Sequence, residues 1–110
     1  MISKTTWDKW HVLEKDRITI TDRDKKCVYC PAVFNSDSPK LKETVEHIDN
    51  ETWKKNPPLV TDIAICCASC NRSKGAKRLL EWFDSRYCKK NNISKETVAP
   101  AIKDWIKCNS

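Results

Sequence analysis

Four of the seven cysteines fall into two identical spacings, Cys27-Val28-Tyr29-Cys30 and Cys67-Ala68-Ser69-Cys70. A C-x-x-C turn lets two sulfurs converge on one ion, and two such turns supply the four thiolates of a tetrahedral zinc site. A stretch of 36 residues separates Cys30 from Cys67. A redox dithiol would explain one pair but leaves the other without a role. Cys66 breaks the spacing, and as a strand neighbour of Cys67 it is expected on the opposite face. Cys66, Cys88 and Cys108 read as small core or surface thiols. A closed disulfide framework would not leave an odd number of cysteines, and in a reducing compartment paired cysteines serve as metal ligands.

The clamp between Cys30 and Cys67 brings the ends of the intervening segment together. Inside it lie Glu46 and His47, and directly after it lies Asn71. The expected result is a carboxylate, an imidazole and an amide near one another, at the ends of two strands and the start of a helix. Arg72, Lys74, Lys77 and Arg78 follow closely. Each group also has an ordinary structural role open to it. His47 can be an exposed strand residue, Glu46 the partner of a lysine, and Asn71 a helix cap. The four basic residues can be a solvated helix face. Asp49 and Glu51 read as solvated or as supplements to a metal site. His11, with no ligand residue nearby, reads as a surface residue.

The elements that must position these groups are predicted as follows. Thr6 caps a helix over residues 7–16, with Trp7, Trp10 and Leu13 on one side. The alternation of Ile18 and Ile20 makes 17–23 a strand or strand-like arm. Residues 27–34 form a cysteine knuckle. The β-rich runs 42–48 and 59–66 form an antiparallel pair. A helix over 69–90, kinked near Gly75, presents Leu79, Leu80, Trp82, Phe83 and Tyr87. A last helix lies within 95–108, with Val98, Ile102, Trp105 and Ile106 inward. Pro100 is suited to begin it, since the first turn lacks a use for its missing N–H. The chain has a single glycine, so turns such as 35–39 and 54–58 rest on Asn, Asp, Ser and Pro.

The chain has 110 residues, 33% of them charged, and a net charge of +6. This is the size of one domain, and no linker or repeat divides it. The core is small enough to profit from a metal staple. No apolar run approaches the roughly 20 residues of a membrane span. The first ten residues have no uninterrupted apolar stretch and do not read as a signal peptide. A cytoplasmic, reducing setting is expected. The positive charge either serves solubility or attracts a polyanion such as nucleic acid.

The order C-x-x-C, Glu-His, apolar strand, C-x-x-C-N-x-x-K-G over residues 27–75 resembles the HNH endonucleases, also called ββα-metal or His-Me finger nucleases. It is most similar to their four-cysteine variant, which includes phage endonuclease VII-type and small restriction and phage proteins. The resemblance implies an α+β chain, with a ββα-metal core over 27–75, an N-terminal arm over 1–26 and C-terminal helices over 76–110. It implies structural Zn2+ on Cys27, Cys30, Cys67 and Cys70, and His47 as general base. It assigns a catalytic Mg2+ or Mn2+ to Glu46 and Asn71 and a phosphate contact to Lys74, which matches the family's terminal K-G; in a nuclease Arg72, Lys77 and Arg78 are expected to contact phosphates as well. Duplex or branched DNA is the implied substrate, cut to 5′-phosphate and 3′-hydroxyl ends, with a homodimer for double-strand cleavage. The chain departs from the family where it lacks a Pro and a Gly-Gly turn after His47. It departs again at Asp62, which stands at the family's middle Asn, and at Glu46, where Asp or His is usual. A zinc-stabilised nucleic-acid binder without catalysis is the second expectation, and a zinc-stapled protein-interaction module the third.

Overall fold

The structure, a computed structural model, describes residues 2–49 and 59–109. The turn expected at 54–58, together with Glu51 and Trp53, lies outside the described residues. Six α-helices, a short 3-10 helix (Val60–Asp62) and one two-stranded sheet are present among the described residues: α1 (Lys4–Lys9), α2 (Glu14–Arg23), β1 (Glu43–His47), β2 (Ile63–Cys67), α3 (Ala68–Lys74), α4 (Leu79–Phe83), α5 (Arg86–Lys90) and α6 (Pro100–Asn109). The chain is therefore mixed α+β. No helix among the described residues is long and apolar enough to cross a membrane.

The antiparallel pair forms, in a register that sets Val45 opposite Ile65 and His47 opposite Ile63, but its second strand begins later than expected, because Val60–Asp62 is a 3-10 helix rather than part of the strand. Side chains alternate across a strand, and the two faces of this hairpin serve two apolar clusters. Val45, Ile63 and Ile65 pack with Trp7, Val12 and Ile20 of the N-terminal helices. Ala64, Cys66 and Ile48 pack with Tyr29, Leu79, Trp82, Ile102 and Trp105 on the other side. Every residue of β2 is buried, so its side chains are apolar on both faces rather than alternating with polar ones.

Residues 17–23 are helical, not extended. Leu13 is the N-cap of α2, Glu14 and Asp16 lie in its first turn and Arg23 in its last, charges that suit the helix dipole at each end. Only Ile20 turns inward, while Ile18 is 66% exposed. The alternation thus misled, because one isoleucine is a surface residue. At the end of α2, Arg23 and Asp24 clip the outer side of β2. Asp24 Oδ2 accepts the Ile65 N–H at 3.0 Å. Arg23 holds both Asp24 oxygens at 2.8 Å and donates to the Val60 and Ile63 carbonyls.

The N-terminal helix begins earlier than expected. Ser3 caps it, accepting from Thr6 N–H, and it ends before His11, which is exposed with φ 58°. Leu13 is 45% exposed, not inward.

The long helix expected over 69–90 is three short ones. Gly75 ends α3 with φ 51° and ψ −129°, a backbone conformation that residues with a Cβ avoid. Asp49 then accepts the Leu79 N–H at 2.7 Å and starts α4. Ser85 caps α5 by accepting from Cys88 N–H. Leu80 is exposed, whereas Leu79 and Trp82 are fully buried. The last helix begins at Pro100, with Ile102 and Trp105 buried as expected. A Gly75→Ala variant should lose about 1–3 kcal/mol in urea unfolding. Strain alone is responsible, because an added Cβ meets nothing nearer than the Arg72 carbonyl at 3.8 Å.

Candidate functional site

The four cysteines of the two C-x-x-C turns meet, with all their sulfurs within 4.8 Å of one another. Cys30 Sγ and Cys67 Sγ lie 3.8 Å apart. Tetrahedral sulfurs each about 2.3 Å from a zinc ion would be separated by about 3.8 Å. The donor set and its spacing therefore suit one ion such as zinc. Three of the four residues are buried. The Cys67 N–H points at Cys27 Sγ at 3.3 Å. The Tyr87 hydroxyl lies 3.4 Å from Cys70 Sγ and 2.9 Å from Ser69 Oγ. Such contacts orient metal ligands from outside.

Their acidities are already uneven. The neighbouring thiols, Cys27 first, hold Cys67 far below the ordinary thiol value. The Cys30 thiol leads in bringing Cys27 down to about 7. Cys30 and Cys70 are raised, both chiefly by hydrogen bonding to Cys27. A bound cation would draw off the remaining protons, since metal binding and thiol deprotonation are coupled. Cys66 is fully buried on the other face, beside Thr44, and its thiol is pushed up by burial. Cys88 is buried and Cys108 exposed.

At the far end of β1 the candidate groups divide. Glu46 and His47 are neighbours in an extended strand and point to opposite faces. The Glu46 carboxylate, 4% exposed, turns toward α3. Its Oε2 accepts the Tyr29 hydroxyl at 2.5 Å and its Oε1 faces Lys74 Nζ at 3.1 Å. Burial pushes it up to about 7, against the lowering influence of Lys74 and Tyr29. Lys74 Nζ also donates to the His47 carbonyl at 3.1 Å. The phosphate contact expected of Lys74 is not available in this arrangement. The ammonium is 2% exposed and committed inside the protein.

The His47 ring is half-buried and lies against Trp10, with centroids 4.6 Å apart. Desolvation first, then the Lys74 charge, lowers its pKa below the ordinary imidazole value, with Asp62 opposing. Its NMR titration midpoint should therefore fall below about 6.5. A depressed folded value means that the unfolded chain binds the proton first. The contribution to stability is present above the unfolded value and is lost as the pH falls through the folded one. The loss should be absent from His47→Gln.

Asn71 is not the cap of α3, whose N-cap is Cys67. Its Nδ2 donates to the Val45 carbonyl at 3.4 Å. Asn71 and Lys74 thus lace α3 to the backbone of β1 on either side of Glu46. Asn71 Oδ1 accepts no hydrogen bond among the described residues and suits a hard divalent ion. Glu46 does not, because both its oxygens are engaged. Asp49, expected as solvated or near a metal, is buried and structural. It holds the start of α4 and accepts from Arg78 Nε at 2.7 Å. Arg72, Lys77 and Arg78 are exposed, although Arg78 is tied to Asp49 and Lys77 donates to the Ser73 carbonyl. Asp62 is buried and accepts from Trp105 Nε1 at 3.1 Å.

Two participants were missed from the sequence. Tyr29 lies between the first two cysteines, and its place inside the C-x-x-C turn was the available signal. Trp10 had no signal, since nothing in its neighbourhood names His47 as a partner. No protein-family model, curated protein or solved structure matches the chain.

Proposed function

We propose that the chain is a zinc-stabilised, metal-dependent DNA endonuclease of the HNH type. Zn2+ on Cys27, Cys30, Cys67 and Cys70 is structural. The observation that carries the reading is a half-buried imidazole, held below its ordinary pKa, at the end of a strand that the four-cysteine cluster and α3 brace together. A neutral imidazole at pH 7 is a competent acceptor for the proton of an attacking water. His47 takes that proton as the water oxygen bonds to phosphorus. The P–O3′ bond breaks, leaving a 5′-phosphate, and the departing oxygen gains a proton to become the 3′-hydroxyl. Asn71 would hold Mg2+ or Mn2+ through its amide oxygen, and that ion would supply Lewis-acid stabilisation of the leaving oxygen. Arg72 and Lys77, exposed and close in sequence to Asn71, attract the DNA backbone, duplex or branched. Double-strand cleavage would need a homodimer.

The test is cleavage of plasmid DNA with Mg2+ or Mn2+ by zinc-loaded wild type and His47→Ala. A fall of about 10²–10⁴-fold in rate is expected, with the zinc content unchanged and a cooperative thermal melt retained. Equal rates, or no cleavage by either protein across metals and substrates, would sink the nuclease reading. The commitment of Glu46 to Lys74 favours a second reading, a nucleic-acid binder without catalysis on the same scaffold. That reading expects salt-sensitive DNA retention and no cutting.

A further inference from the structure

We propose that Glu46 is a positioning residue for His47 and not a metal ligand: Lys74 is the resident cation of its carboxylate. The inference concerns the cofactor of the site proposed above and rests on that reading for its catalytic consequence alone. Three observations carry it. First, each Glu46 oxygen already has a partner, Tyr29 on one side and Lys74 on the other. Second, the same ammonium that neutralises Glu46 donates to the His47 carbonyl. Carboxylate, ammonium and strand backbone thus form one chain of contacts ending at the histidine. Third, Glu46 and Lys74 are 4% and 2% exposed. Mg2+ keeps several waters at near-ideal octahedral positions, and a buried carboxylate already bonded to an ammonium leaves no room for them.

The arrangement divides labour within the sequence Glu46-His47. Glu46 fixes the end of β1 from inside by joining the first cysteine turn, through Tyr29, to α3, through Lys74. His47 faces the other side, with Trp10 against its ring. The ligand that the chain offers a divalent ion is then Asn71.

The test uses the zinc-loaded full chain with 15N-labelled lysine. In wild type, one lysine ammonium should give a slowly exchanging NMR signal that Glu46→Gln abolishes. Millimolar Mg2+ should leave that signal in place. An ammonium in fast exchange, or one released by Mg2+, overturns the proposal. In the cleavage assay, Glu46→Gln should lower kcat while the Mg2+ concentration for half-maximal rate stays within about twofold of wild type. Asn71→Ala should raise that concentration by about tenfold or more. A tenfold rise in Glu46→Gln would overturn the proposal. If no variant cleaves DNA, the nuclease reading fails, and the ammonium signal still decides the role of Glu46.

Discussion

Stripping the metal from the four-cysteine cluster, or replacing Cys70 by alanine, is expected to unfold the chain. The cluster joins the turn that precedes β1 to the junction of β2 and α3, so it closes the segment containing the whole hairpin. Structural zinc in small domains contributes about 10–16 kcal/mol of apparent binding free energy. Domains of this size are stable by only about 5–15 kcal/mol. The larger apolar cluster is also built around these cysteines, with Cys27, Cys67 and Cys70 packed beside Val28, Tyr29 and Trp82. Loss of the metal would leave four thiols crowded within 4.8 Å of one another with no ion to hold them together. Circular dichroism with and without chelator, alongside assay of released zinc, reads the result. A cooperative melt that survives complete metal removal would show that the cluster is not structural.

Lys74→Met should carry a large cost in stability. The substitution preserves the bulk of the stem but, once Glu46 is ionised on the alkaline side of neutrality, leaves its carboxylate buried without a counter-charge, an effect of about 3–5 kcal/mol there. Its pH dependence identifies the cause. Without Lys74, burial dominates and Glu46 holds its proton to higher pH than the value of about 7 that it has beside the lysine. A raised folded value makes stability greatest at low pH and lost as the pH rises through it. The variant should therefore fall furthest behind wild type toward the alkaline side of neutrality. Glu46→Gln combined with Lys74→Met should recover more than half of the loss in urea unfolding, because the amide keeps an acceptor for Tyr29 and carries no charge. A double variant as weak as Lys74→Met alone would assign the cost to packing instead.

The cysteine pairs and the β-rich runs were legible in the sequence because their signals are local. The spacing of a C-x-x-C turn is set within four residues, and strand pairing followed from two β-branched runs with a cysteine pair at each end. The break-up of the helix after residue 69 was only half legible. Gly75 announced one stop, but the start of α4 depends on Asp49, thirty residues away. The helix at 14–23 was misread because a two-isoleucine alternation is too short to distinguish periods, and the acidic first turn was the better guide. The fate of Glu46 was not legible. Adjacent residues in a strand face opposite ways, and which face met α3 depended on the register of β1 against β2. Only then did Lys74, which looked like a phosphate-binding side chain, become the inner partner of the carboxylate.

The Arg23–Asp24 clip bears on how two copies of the chain could associate. On the outer side of β2, the Ile65 amide is already bonded to a carboxylate and the Ile63 carbonyl to a guanidinium. Main-chain groups spent in this way cannot recruit a strand from another molecule, which blunts the usual route to edge-to-edge pairing and fibre growth on that flank.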